Sequence, residues 1–139
     1  MNILLAGGIG FVGTHIALDS LEHGNDIILV DNDINSMPVI VDRIQKSTGK
    51  CINNYLFDIK EKNGLRRAFG ENNIDCVIYF AGLNSTVESI THPIKYYRDN
   101  IDAILSLLEC MRGFSIKNLV FTSSATVYGE NVVCLVLNQ

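Results

Sequence analysis

The sequence predicts an α/β fold, a doubly wound parallel sheet, and two observations predict it. Five short, almost continuously apolar runs alternate with segments of helical periodicity, the pattern of right-handed βαβ crossovers that cover a parallel sheet on both faces. The first run passes directly into a glycine triplet, Gly7, Gly10 and Gly13, which opens the first helical segment.

The candidate strands are residues 2–6, 26–30, 53–57, 76–80 and 118–122. Their apolar character suits strands buried on both faces. Residues 11–23 place Val12, Ile16 and Leu21 near one helical face and end before Gly24, a natural C′ residue. Residues 38–48 begin with Pro38, acceptable at the first helical position, carry Ile40 and Ile44 four apart, and stop before Gly49. In residues 60–70, Leu65 and Phe69 pair at four residues, but Gly64 interrupts. Residues 93–112 carry the strongest pattern, with Tyr97, Ile101, Ile104, Leu105, Leu108 and Met111 as the expected core-facing stripe.

Composition narrows the class. At 139 residues and 47% hydrophobic, the chain is one domain or a piece of a larger one, and not a disordered segment. A net charge of −4 gives no basic footprint for nucleic acid or an anionic membrane. The longest apolar runs, such as residues 132–137, are far short of the ~20 residues a membrane span needs. The first residues lack the basic region of a signal peptide, so a cytoplasmic chain is expected. Cys51, Cys76, Cys110 and Cys134 form no Cys-x-x-Cys and are read as small buried hydrophobes. His15, His23 and His92 share no metal-ligand spacing, so no metal is expected, and no Gly-x-Ser-x-Gly supports a hydrolase.

The glycine triplet has a chemical reading. Glycines permit a tight turn and let a pyrophosphate approach the backbone, and the free N–H groups and positive dipole end of the helix then face the phosphates. Asp31, 18 residues past Gly13 at the end of the second strand, is placed to accept hydrogen bonds from an adenosine ribose. It would repel a 2′-phosphate, so NAD is favoured over NADP. This makes the expected sheet Rossmann-type, in strand order 3-2-1-4-5, with the dinucleotide crossing the strand ends between strands 1 and 4.

Longer segments then resemble one family. Gly7–Gly13 resembles the fingerprint of extended short-chain dehydrogenases/reductases, with Phe11 and Val12 inside it. Asp31, Asn32, Asn35 and Ser36 resemble the D-N-x-x-N-S loop that receives the adenosine in UDP-glucose (UDP-galactose) 4-epimerases. Asp58 and Ile59 match a pair that contacts adenine. Phe80, Ala81, Gly82 and Leu83, followed by Glu88 and Ser89, are similar to the F-A-G-L…E-S stretch where the fourth strand meets the dinucleotide. Tyr96, Tyr97 and Asn100 resemble a Y-Y-x-x-N helix start, and residues 123–129 resemble S-S-A-T-V-Y-G. The resemblance implies NAD as cofactor, contacts also from Asn84, Asp99 and Ser124, and a supporting catalytic role for Ser124 at a nucleotide-sugar hydroxyl. Where the family often has Thr, Lys, Asn and Gly, this chain has Ala6, Asn84, Asp99 and Ala103. An inward Asp99 carboxylate would weaken pyrophosphate binding.

The family's base is the Tyr of Tyr-x-x-x-Lys, and none of the five tyrosines here has Lys four residues on. The expected organisation is an incomplete NAD-binding domain over residues 1–130 and a divergent apolar tail over 131–139, without the sugar-nucleotide domain. The resemblance therefore implies a UDP-glucose 4-epimerase fragment with little turnover of its own. The alternatives are a catalytically silent NAD-binding or interaction module, or another NAD-dependent nucleotide-sugar epimerase or dehydratase. An uncovered fifth strand and the apolar tail would favour self-association.

Overall fold

The computed structural model describes residues 1–32 and 39–129. Asn35, Ser36, the start of the second helix at Pro38, Cys134 and the tail beyond Gly129 lie outside the described residues. In chain order the elements are β1 (Asn2–Ala6), α1 (Phe11–Glu22), β2 (Asp26–Asp31), α2 (Val39–Thr48), β3 (Asn53–Leu56), α3 (Lys62–Glu71), β4 (Cys76–Tyr79), α4 (Thr86–Thr91), α5 (Pro93–Gly113) and β5 (Leu119–Phe121), followed by a 3-10 turn at Ala125–Tyr128. The five strands form one sheet in the order β3-β2-β1-β4-β5, and every pair is parallel. This is the expected Rossmann-type order.

Side chains alternate across the sheet with a period of two. Leu4, Ala6, Ile28, Val30, Val77 and Tyr79 join one core with Leu65 and Phe69 of α3 and Ala103, Leu107 and Met111 of α5. Ile3, Leu5, Ile27 and Leu29 face the other way, against Ala17 and Leu21 of α1 and Val41 and Ile44 of α2. Burial on both faces holds for β1 and β2 and fails at the edges. Asn53, Asn54 and Leu56 of β3 and Val120 and Phe121 of β5 are exposed, because those strands flank the described sheet.

The third helix buries the expected Leu65 and Phe69, whereas α1 and α5 depart in part from the expected faces. In α1 the buried residues are Gly13, Ala17, Ser20 and Leu21, and Val12 points outward. In α5 the buried residues are Tyr96, Ala103, Ser106, Leu107, Cys110 and Met111, while Tyr97, Ile101, Leu105 and Leu108 are exposed. This helix has two apolar stripes; Ala103, Leu107, Cys110 and Met111 pack in the core beneath the sheet with the half-buried Ile104, so Met111 and Ile104 of the expected stripe do face it. Gly64 does not weaken α3: a Cβ there would lie 2.7 Å from the Phe57 ring, so the glycine admits that ring. The six-residue α4 was not among the expected helices.

Cys110 is buried and Cys76 half-buried, as expected of small hydrophobes, but Cys51 is exposed. Burial raises the thiol pKa of both Cys76 and Cys110. Among the described residues no helix is long and apolar enough to cross a membrane, and no group of His, Cys, Asp and Glu could hold a metal ion.

Candidate functional site

The strand order reverses between β1 and β4, and a cleft opens there at the carboxyl ends of the strands. Its floor begins at the glycine loop. The Gly7 N–H donates to the Val30 carbonyl at 2.8 Å, and the Phe80 and Ala81 N–H groups both donate to the Ala6 carbonyl, at 2.7 and 3.0 Å. The loop is thereby clamped between the ends of β2 and β4. Gly7 has φ +77°, and a Cβ there would lie 2.7 Å from the Ala81 nitrogen, so only glycine suits both the backbone and the space. A Cβ at Gly13 would lie 2.7 Å from the Gly8 carbonyl oxygen, so this glycine sets how closely α1 packs on the loop. The helix starts at Gly10 without a side-chain cap, leaving its amino end to the cleft.

Asp31 ends β2, and its Oδ2 accepts the Ile9 N–H at 3.0 Å. Beyond β3, Asp58 Oδ1 accepts the Lys60 backbone N–H at 2.9 Å. The Lys60 ammonium lies 3.6 Å from Asp58 Oδ2 and 2.8 Å from Asp99 Oδ1, on α5. The hydrogen bond to Lys60 holds the Asp99 carboxyl below its ordinary pKa, and the same bond raises the Lys60 ammonium. The Asp99 carboxylate is thus inward but neutralised by a partner the sequence did not reveal.

After β4 the chain is held by Asn100. Its Oδ1 accepts the Leu83 N–H at 2.7 Å and its Nδ2 donates to the Leu83 carbonyl at 3.2 Å. The side chain imitates a strand and fixes the Phe80–Leu83 wall. Ser85 caps α4 by accepting the Glu88 N–H. Glu88 in turn accepts from the Lys95 ammonium and the Tyr96 hydroxyl, both at 3.0 Å, and the bond to Lys95 is the chief reason its pKa lies low.

These groups enclose a cleft of about 640 Å³, the size of a nucleotide-cofactor site. It is lined by Gly7, Gly10, Phe11, Asp31, Asn32, Asp58, Ile59, the run from Phe80 to Asn84, Asp99 and Asn100, all singled out in the sequence. Val12 and Gly13 do not line it; Val12 faces outward and Gly13 is buried under the loop. Ser124, exposed after β5, is not among its lining residues either. Lining residues missed from the sequence include Val30, Phe57, Lys60, Ser85, Lys95 and Ala103. Lys60, two residues from the expected Asp58, was the easiest of these to find.

The histidines serve local structure. Nδ1 of His15 and of His23 lies 2.8 Å from the carbonyl four residues earlier, Phe11 and Asp19 respectively. His92 meets the Thr91 hydroxyl at 2.9 Å.

Residues 3–133 match the NAD dependent epimerase/dehydratase family. The UDP-glucose 4-epimerase uge1 of Schizosaccharomyces pombe is 41% identical over 93% of this chain and 36% of that protein. A UDP-glucose 4-epimerase of Neisseria meningitidis serogroup A is 44% identical over 93% of this chain and 38% of that one. Among solved structures, the Bifidobacterium longum UDP-glucose 4-epimerase in complex with NAD+ and UDP superimposes with a TM-score of 0.90 at 44% identity, covering 93% of this chain and 38% of that one. The enzyme from Stenotrophomonas maltophila, with bound NAD and formylated UDP-arabinopyranose, gives 0.92 at 36% identity, covering 97% and 40%. The chain spans less than two-fifths of the length of these curated relatives.

Proposed function

The chain belongs to the NAD dependent epimerase/dehydratase family, and we propose on that premise that it is the NAD-binding portion of a UDP-glucose 4-epimerase. The observation that carries this reading is the Asp31 carboxylate bonded to the Ile9 amide, joining the end of β2 to the phosphate loop. The residues fit NAD. Gly7, where a Cβ would strike Ala81, keeps the tight turn of the loop against β4, the uncapped amino end of α1 would meet the phosphates, and Asp31 would accept from the adenosine ribose. Asp58 and Ile59 flank the adenine. The wall from Phe80 to Leu83, pinned by Asn100, would lie along the dinucleotide. When bound, NAD supplies a reversible acceptor for the hydride of a sugar carbon. The nucleotide sugar is the substrate the relatives' names point to, and the cytoplasm the place of action.

The NAD-binding unit runs over residues 1–130, followed by the apolar tail. The 139 residues contain no Tyr-x-x-x-Lys. In such a pair the Lys lowers the phenol's pKa from about 10 toward neutrality, and the resulting base is worth about 10²–10⁴-fold. Ser124, the supporting hydroxyl, has no such base beside it in these residues. That absence favours a second reading for the 139 residues taken alone: they bind NAD and do not turn over. Self-association through the exposed β5 edge and the tail accompanies it.

One assay addresses both readings. The purified 139-residue chain is titrated with NAD and incubated with UDP-galactose. NAD binding without UDP-glucose formation is expected. Epimerisation at an ordinary enzyme rate contradicts the silent reading, and no NAD binding contradicts both.

A further inference from the structure

The cleft carries more negative charge than a site for a dianion should. Its lining holds four carboxylates, Asp31, Asp58, Glu88 and Asp99, against two ammonium groups, Lys60 and Lys95. Lys95 is engaged by Glu88 at 3.0 Å. Lys60 alone serves two carboxylates, at 2.8 Å to Asp99 and 3.6 Å to Asp58. Its contacts reach across 39 positions of sequence, from the turn after β3 to the middle of the first half of α5.

We propose that Lys60 is a positioning residue for the dinucleotide, which by holding Asp58 and Asp99 keeps their charge from repelling the diphosphate. This rests on the reading of the cleft as an NAD site. The three side chains are 26–35% exposed, sheltered enough for Coulomb effects to exceed those in bulk water. Without Lys60, two carboxylates stand unpaired on the wall of a cleft that must receive two phosphate charges. Asp58 keeps its bond to the backbone N–H of residue 60, which any side chain at that position leaves in place, so the adenine end of the cleft is not reshaped. The group acts through its neighbours, not by contact with the sugar.

Calorimetric titration of the 139-residue chain with NAD and with adenosine tests this, because adenosine fills the ribose and adenine subsites but has no phosphates. Lys60→Met is expected to weaken NAD about tenfold while adenosine changes less than about twofold. Adding Asp99→Asn to Lys60→Met is expected to recover most of the loss. Equal weakening of NAD and adenosine would assign Lys60 a merely structural role and overturn the proposal. So would unchanged NAD affinity in Lys60→Met, or a double variant no better than the single one. If the unsubstituted chain binds neither ligand, the NAD-site reading itself fails and this inference fails with it. If it binds both, the variants decide the inference separately.

Discussion

The Asp31 carboxylate accepts the Ile9 amide at 3.0 Å, from 22 residues further along the chain. The carboxylate at the end of β2 is therefore tied to the glycine loop that opens α1. Gly7 completes the linkage by donating to Val30, the residue before Asp31. The glycine loop and the end of β2 are thus one hydrogen-bonded unit, and substitutions in either part are expected to disturb the other.

Gly13→Ala tests the packing side of that unit. The new Cβ would lie 2.7 Å from the Gly8 carbonyl oxygen, against backbone that cannot swing aside. Denaturant unfolding is expected to show a loss of about 1–3 kcal/mol, with weaker NAD binding. An unchanged midpoint and affinity would mean that the loop yields easily.

The two stripes of α5 make a paired prediction. Leu107 is fully buried and Leu105 is 50% exposed. Leu107→Ala is expected to cost about 2–5 kcal/mol in chemical denaturation, and Leu105→Ala under about 1 kcal/mol. The reverse ranking would restore the face that periodicity selected.

That face shows where sequence reading stops. The strands were legible because β1 and β2 are apolar at nearly every position, and their order followed from alternation and crossover handedness. In α5 both faces carry large apolar residues, Tyr97, Ile101, Leu105 and Leu108 on one and Tyr96, Leu107 and Met111 on the other, so periodicity alone does not choose between them. The structure packs Ala103, Leu107, Cys110 and Met111 into the core with β1, β2 and β4. Likewise α4 is too short for periodicity, yet Ser85 and Glu88 have the spacing of a capping box, a signal that could have found it. Gly7, Gly10, Asp31 and Asn100, all legible in the sequence, line the cleft, although Asn100 acts by holding Leu83. The Lys60–Asp99 pair was beyond reach, since nothing local joins residues so far apart in sequence.

Tyr79 offers a stability gain. Among the described residues its hydroxyl is the buried side-chain polar atom without a hydrogen-bond partner. Burial, with a smaller push from Asp58, raises its pKa to about 12, so it stays neutral at working pH. Tyr79→Phe keeps the stack on Phe121, whose ring centroid is 5.5 Å away. The variant is expected to melt at the same temperature or higher, by removing an unpaired buried hydroxyl worth up to about 1–3 kcal/mol. A clearly lower melting temperature would show that the hydroxyl has a partner in solution.

Acid should destabilise the fold through its paired carboxylates. Bonds to Lys60, Lys95 and Lys62 hold Asp99, Glu88 and Glu109 below their ordinary pKa values. A carboxylate depressed in the folded state contributes stability that is present above its unfolded value and lost as pH falls through the folded one. The melting temperature is expected to hold near neutrality and to decline below about pH 4. The Lys95–Glu88 and Lys62–Glu109 pairs are the more exposed of the three, so high salt should flatten their share of the decline. A melting temperature unchanged down to pH 3 would contradict their contribution.

The most direct measurement is calorimetric titration of the 139-residue chain with NAD and NADP, repeated on Asp31→Ala. NAD is expected to bind the unsubstituted chain, NADP markedly more weakly, and Asp31→Ala to lose both NAD affinity and the preference. Equal affinity for the two dinucleotides, or NAD binding untouched by Asp31→Ala, would contradict that expectation.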